Sequence, residues 1–170
     1  MLKLNKILFV LILMFSITSL VACDYEYSLY HSAIRNETEV SNIELINYNN
    51  PEAKNNPLKV FPFDLEKLEV LEILHSNNID KFLTDIEKIG GISSKLEHVL
   101  KSPTGSGIRI TYQDNGFTII TVTNIGDVDV IFTGHYDSDA NLEGSFGISW
   151  QELIDEFKEL INTYFETKIN

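Results

Sequence analysis

The second half of the chain alternates apolar and polar positions with a period of two. Ile108, Ile110 and Tyr112 alternate with polar residues, which is the pattern of a strand with one buried face. Asn115 and Gly116 follow, and both residue types tolerate the positive φ of a two-residue hairpin turn. Short connections between consecutive strands predict a four-stranded antiparallel meander, with strands at 108–112, 117–123, 128–136 and 142–146.

The first half mixes one strand pattern with helical patterns. Residues 40–48 are β-branched and partly alternating, so we predict a strand there. Leucines then recur every three positions from Leu65 to Leu74, and Asp64 before them is a good N-cap residue. This pattern predicts an amphipathic helix ending near His75. Two further short helices are expected, one from Asn77 or Asn78 to Ile89 before Gly90-Gly91, and one from Ser94 to Leu100 before Pro103.

The end of the chain carries the widest apolar stripe. Residues 149–152 match a capping box, and large apolar residues from Trp150 to Phe165 mark one face of a long helix. Such a face must be buried, and one face of the meander is available to receive it. We therefore predict one α+β domain over residues 40–170. It has an N-terminal strand and two to three short helices, then a four-stranded antiparallel meander packed by a long C-terminal helix.

The first 22 residues follow a different pattern. Lys3 and Lys6 precede an uncharged, mostly apolar stretch at 7–22. A membrane-spanning helix needs about 20 apolar residues, so this stretch is short for a span and suits a signal peptide. It ends in Leu20-Val21-Ala22-Cys23, and Cys23 is the one cysteine in the chain.

This ending resembles the lipobox of bacterial lipoproteins, in which two aliphatic or small residues and a further small residue precede an obligatory cysteine. The resemblance covers only the first 23 residues. It implies cleavage between Ala22 and Cys23, a diacylglyceryl group on the Cys23 sulfur, and a chain anchored by fatty acids to the outer face of the cell membrane. Residues 23–39 are then expected to form a tether, with docking of Tyr25, Tyr27 and Tyr30 on the domain as the alternative. An ordinary signal peptide with an incidental cysteine and an uncleaved membrane helix remain as alternatives.

The chain is strongly acidic. It contains 13 Lys plus Arg and 25 Asp plus Glu, giving a net charge of −12, and loss of Lys3 and Lys6 with the signal peptide makes it −14. Nucleic-acid binding is disfavoured because affinity for phosphates comes mainly from clustered basic residues. Anionic headgroups would repel such a domain, so the lipid on Cys23 has to supply the membrane attachment.

One acidic segment resembles part of a calcium-binding loop. Asp137, Asp139, Asn141 and Glu143 alternate as in the first half of an EF-hand. The sixth position should be Gly and the twelfth Glu, whereas the chain has Leu142 and Ile148 there. We therefore predict a polar turn, which favours Asp, Ser and Asn for backbone reasons. Asp137, Asp139 and Asn141 stay as weak calcium candidates, and no cofactor is expected.

The remaining candidates for chemistry do not form a recognised catalytic set. His31, His75, His98 and His135 lack the spacing of metal ligands, and residues 104–107 lack the lysine of a phosphate-binding loop. The sequence therefore favours a non-catalytic interaction or ligand-binding module, with an unknown protein partner. Two alternatives stay open: an extracytoplasmic hydrolase using the carboxylates of Asp137 and Asp139, and a calcium-stabilised structural protein.

Overall fold

The computed structural model describes residues 25–29, 34–35, 39–93 and 100–169. The strands in this part of the chain are β1 (Tyr25–Ser28), β2 (Val40–Tyr48), β3 (Leu68–Ile73), β4 (Gly90–Ser93), β5 (Gly105–Tyr112), β6 (Phe117–Ile125), β7 (Val128–Tyr136) and β8 (Leu142–Ile148). The helices are α1 (Pro51–Asn55), α2 (Ile79–Ile86) and α3 (Gln151–Tyr164), with 3-10 turns at Leu65–Lys67 and Ser76–Asn78.

Six of these strands form one antiparallel sheet in the order β3-β2-β5-β6-β7-β8. The turn between β5 and β6 contains Asn115 with φ 65°, and the turn between β6 and β7 contains Gly126 with φ 68°. Positive φ at these positions is what tight hairpins require, and Asn and Gly adopt it most easily. β1 and β4 pair with each other in a separate two-stranded sheet.

The predicted fold is wrong in its main elements. We expected a four-stranded meander, but those strands belong to a six-stranded sheet that also contains β2 and β3. The amphipathic helix predicted from Asp64 to His75 is instead a short 3-10 turn followed by the strand β3. The C-terminal helix that we predicted as long has only 14 residues.

A β-bulge explains why β3 looks helical in the sequence. Glu69 lies opposite Asn47, and Glu72 lies opposite Leu45. Positions 45 and 47 share one face of β2, so Glu69 and Glu72 share one face of β3 although they are three residues apart. Leu71 is the extra residue that turns the two-residue period of a strand into a local period of three. The same spacing is produced by a helix.

The other predicted helices are shortened or lie outside the described residues. α2 begins at Ile79 and ends at Ile86, before the predicted end at Ile89. Gly90 is the first residue of β4, so the glycine pair is part of a strand. The third predicted helix lies outside the described residues except for Leu100, which is buried and not helical.

The helices α2 and α3 cover one face of the six-stranded sheet. The apolar side chains between these helices and the sheet form the main core, in which Phe82 and Ile86 of α2 are fully buried. Tyr164 of α3 donates a hydrogen bond of 2.5 Å to Asp85, and its ring meets Phe82 edge-on at 5.2 Å. These contacts join the two helices. α3 also buries five apolar side chains, namely Leu153, Ile154, Phe157, Leu160 and Ile161.

Loops cover the opposite face of the sheet. Phe63, in the loop before β3, stacks on Tyr48 with ring centroids 5.0 Å apart and lies 4.9 Å from Tyr136. Tyr136 also stacks on Phe117 at 5.0 Å. Further along the same face, Leu100 packs against residues of β7. The sheet therefore has a core on each side.

The N-terminal segment that we predicted as a tether packs on the domain in its described part. β1 pairs with β4, and Tyr25 lies opposite Ser93. The Leu29 amide donates to the Ile89 carbonyl at 3.0 Å, and the Leu29 side chain is fully buried. Ile34 is also in the main core. Residues 25–29 and 34 are thus fixed to the folded domain.

The C-terminal residues cover one face of β3. The Glu72 carboxylate accepts the backbone amides of Glu166 at 3.0 Å and of Thr167 at 2.9 Å. Desolvation of Glu72 acts in the opposite direction, but the amides of Thr167 and Glu166 hold its pKa below the ordinary value. The side chain of Asn162 bonds to the backbone N and O of Ile169. Glu72 is thereby half-buried, whereas Glu69, Val70, Leu71 and Ile73 of β3 stay exposed.

Candidate functional site

The residues of the predicted lipid-attachment site, Leu20 to Cys23, lie outside the described residues. Among the helices of the described ranges, none is long and apolar enough to cross a membrane. Lipid attachment at Cys23 and cleavage after Ala22 therefore stay predictions from the sequence.

The acidic segment from Asp137 to Glu143 forms the turn between β7 and β8 and the start of β8. Asp137 Oδ1 accepts the backbone amides of Asp139 at 2.9 Å and of Asn141 at 2.8 Å, and Oδ2 accepts the Asn141 side-chain amide at 3.0 Å. The Asn141 side chain is the main cause that lowers the pKa of Asp137. The Asp137 carboxylate is thus engaged in the turn. Within the described ranges, no three His, Cys, Asp or Glu residues are grouped to hold a metal ion.

Two of the four histidines lie in the described part of the chain, and they have different surroundings. His75 is exposed before a 3-10 turn. His135 Nδ1 lies 2.8 Å from the Thr118 hydroxyl, which lies 2.8 Å from the Tyr112 hydroxyl. This row of hydrogen-bonded side chains links β5, β6 and β7. Residues 104–107, considered above as a phosphate-binding loop, are the entry into β5, and Thr104 is buried.

A groove of about 380 Å³ lies between α2 and α3. Its lining includes Glu156 and Glu159 of α3 and, from α2, Asp85. Lys88 bonds to one Asp85 oxygen at 2.6 Å and Tyr164 to the other, and these bonds lower the pKa of Asp85. Burial and the nearby Asp85 raise the pKa of Tyr164 to about 12. Lys88 and Tyr164 therefore already satisfy the Asp85 carboxylate of this groove.

An ion pair joins two strands on the loop-covered face of the sheet. Glu44 of β2 lies opposite Arg109 of β5, and Arg109 Nε and Nη2 are both 2.5 Å from the same oxygen of Glu44. Glu44 is only 7% exposed. Loss of either partner would leave the other charge buried and uncompensated. The pair therefore has a clear structural role.

Large apolar side chains are exposed in one stretch of the chain. The described residues include seven such side chains, and all but Val128 fall between Leu58 and Ile73. We call this group the Leu58–Ile73 surface; it consists of Leu58, Val60, Leu65, Val70, Leu71 and Ile73. The most exposed of them, Leu58, is 67% accessible, and the least, Leu71, is 38% accessible. These residues belong to the loop that leads into β3 and to β3 itself.

Sequence reasoning missed this surface because it placed Leu65 and Leu71 on the buried stripe of a helix. In the structure, Leu74 at the end of that stripe is buried, whereas Leu65 and Leu71 are exposed. A strand at the edge of the sheet, with a bulge, leaves side chains uncovered that a docked helix would have buried. The three-residue spacing of the leucines does not distinguish the two cases.

Comparison with protein-family models, with curated proteins and with solved structures finds no match for this chain. The choice of a candidate site therefore depends on the geometry described above. The turn at Asp137, the row ending at His135 and the Glu44–Arg109 pair hold their polar groups in internal contacts. Within the described ranges, six of the seven exposed large apolar side chains belong to the Leu58–Ile73 surface and stay available to another molecule.

Proposed function

We propose that the protein is a lipid-anchored extracytoplasmic domain that binds another protein through the Leu58–Ile73 surface. The observation that carries the binding role is the concentration of exposed apolar side chains in this one stretch. A large exposed apolar patch on a soluble protein often marks a binding site, and six exposed apolar side chains within one stretch of chain can supply such a patch. The anchor is supported by the lipobox resemblance at Leu20-Val21-Ala22-Cys23.

The charge of the domain indicates what kind of partner fits. The mature chain would carry a net charge of −14, and Glu66 is exposed beside Leu65 in the turn that leads into β3. Complementary charge increases the rate of encounter and disfavours partners of like charge. We expect a protein that presents apolar side chains flanked by Lys or Arg.

The pKa values of the carboxyl groups do not favour the hydrolase alternative. A carboxylic acid that serves as a general acid needs a pKa raised towards the working pH. Within the described ranges the shifted carboxyl groups all have lowered pKa values; they are Glu72, Asp85, Asp129 and Asp137. The calcium alternative would need the Asp137 carboxylate, whose two oxygens already accept hydrogen bonds within the turn.

Metabolic labelling with a radioactive fatty acid tests the anchor. We expect the full-length chain to incorporate the label and the Cys23→Ser variant to lose it, because the sulfur carries the lipid. Cleavage before residue 23 should be blocked in the same variant. Equal labelling of the two proteins would overturn the lipid-anchor proposal.

Photo-crosslinking in intact cells tests the binding surface. A photoreactive amino acid is placed at Leu71, and the matched control carries it at Val128, an exposed apolar position outside the surface. We expect a discrete crosslinked protein from position 71 that is absent from position 128 and is lost when Ile73→Lys is added. The same crosslinked products from both positions, or none from position 71, would contradict the proposed surface.

A further inference from the structure

The first strand begins very close to the proposed lipid-attachment site. β1 starts at Tyr25, and Asp24 is the one residue between it and Cys23. A fully extended chain spans at most about 3.6 Å per residue. The backbone of Tyr25 therefore lies within about 7 Å of the backbone of Cys23, whatever path the intervening residue takes.

From Tyr25 the chain is part of the folded domain. Tyr25 lies opposite Ser93, and Ser28 lies opposite Gly90, so β1 is held along its length by β4. The next residue, Leu29, is fully buried in the main core. No flexible spacer thus separates Tyr25 from the core, and the attachment between lipid and domain is two residues long.

We propose that the domain lies directly on the bilayer, with the Tyr25–Ser93 end of the β1–β4 sheet against the lipid headgroups. This inference rests on the proposed lipid attachment at Cys23. A domain of this size has a radius of gyration of about 15 Å. An attachment of about 7 Å is too short to lift such a body clear of the membrane, so the headgroup layer is what this end of the sheet contacts.

The charge of the domain makes this contact sensitive to the length of the attachment. A net charge of −14 is repelled by anionic headgroups, and at physiological salt that repulsion acts over about 8 Å. The attachment of about 7 Å holds the Tyr25 end within that range. The contact is therefore imposed by the covalent anchor, and a longer attachment should let the domain move away.

Fluorescence energy transfer from a dye on the domain to acceptors in the headgroup layer measures how far the domain lies from the membrane. In the lipidated protein the Cys23 thiol is blocked, so Glu87→Cys supplies a single free thiol at the exposed end of α2. It carries a donor dye, and the protein is reconstituted into phosphatidylcholine and phosphatidylglycerol vesicles with acceptor-labelled headgroups. The test variant has ten Gly and Ser residues inserted between Asp24 and Tyr25. The control variant has the same insertion in the turn between Gly126 and Asp127.

We expect the insertion after Asp24 to increase the distance between donor and headgroups by roughly 15 Å, since ten flexible residues span about 17 Å on average. The insertion in the turn should leave that distance unchanged. A protein that floats with the vesicles but shows the same distance with and without the insertion after Asp24 overturns the membrane contact alone. A protein that does not float overturns the lipid anchor, and this inference with it.

Discussion

At the scale of single residues, Asp129 and Lys158 illustrate how a charge pair fixes a helix to the sheet. Lys158 Nζ lies 2.8 Å from Asp129 Oδ2, and the two side chains are only 21% and 23% exposed. The hydrogen bond from Lys158, and then the one from Asn124, hold the pKa of Asp129 below its ordinary value. The unfolded chain therefore takes up a proton at this carboxylate more readily than the folded domain does.

We predict that Asp129→Asn destabilises the domain at neutral pH but not in strong acid. At pH 7 the free energy of unfolding should fall by about 1 kcal/mol, which is at the upper end of the range for ion pairs near a surface. An unfolded aspartate titrates at about 3.9, so the stabilisation is complete above that pH and is lost as the pH falls through the lowered pKa of the folded state. Urea unfolding of both proteins across this range measures the effect.

The exposed Asp127 provides the matched control for this experiment, because it lies in the adjacent turn. The Asp127→Asn variant should have an unfolding free energy that differs little from that of the wild type at any pH. If the cost of Asp129→Asn stayed constant from pH 7 down to strong acid, the carboxylate of Asp129 would not be the stabilising group.

Single residues whose role depends on near neighbours were predictable from the sequence. Asp64 caps its turn, accepting the amide of Glu66 at 3.0 Å, and Asn115 adopts the positive φ of the predicted hairpin. Each of these contacts spans only a few residues. The pairing of Asp129 with Lys158 joins positions 29 apart, and only the folded chain brings them together.

At the scale of elements, the same limit explains the error at β3. The cap at Asp64 was predicted correctly, but the turn that it starts contains only three residues, Leu65–Lys67. The residues after this turn pair with β2, and this long-range pairing makes the chain extended there. The β-branched Val70 and Ile73 fit a strand better than a helix interior. The helix prediction used the spacing of the leucines and did not take the strand preference of Val70 and Ile73 into account.

The packing of α3 gives a prediction at this scale. Phe157 is fully buried at the middle of the helix, so Phe157→Ala should lower the free energy of unfolding by about 3–5 kcal/mol. Glu159→Ala, on the exposed side of the same helix, should change it by no more than about 0.5 kcal/mol. Urea denaturation of both variants makes the comparison. Equal shifts of the two midpoints would mean that α3 does not dock through Phe157.

At the scale of the whole molecule, the sequence and the structure contribute different parts of the candidate site. The short motif ending at Cys23 predicts the anchor, because processing depends on contiguous residues. The Leu58–Ile73 surface could not be predicted, because its exposure depends on which strand lies at the edge of the sheet. The position of Tyr25 beside β4 could not be predicted either, because strand pairing joins residues that are far apart in the sequence.

The bulge at Leu71 has a consequence for how copies of the chain behave towards each other. β3 ends the six-stranded sheet, and a regular edge strand with apolar side chains is a template for fibre growth. Deleting Leu71 would restore strict alternation, with Glu69 and Glu72 still on one face. We predict that the deletion variant polymerises edge to edge, seen as thioflavin-positive material and fast-sedimenting species.

The matched variant Leu71→Ala keeps the extra residue and should stay monomeric in sedimentation velocity. A monomeric deletion variant, or equal polymerisation of the two, would mean that the bulge does not protect the edge. With the proposed lipid anchor, copies of the chain would share a two-dimensional layer, where an unprotected edge would meet another copy more often than in solution. On this prediction, the one extra residue in β3 keeps the exposed apolar edge from starting aggregation.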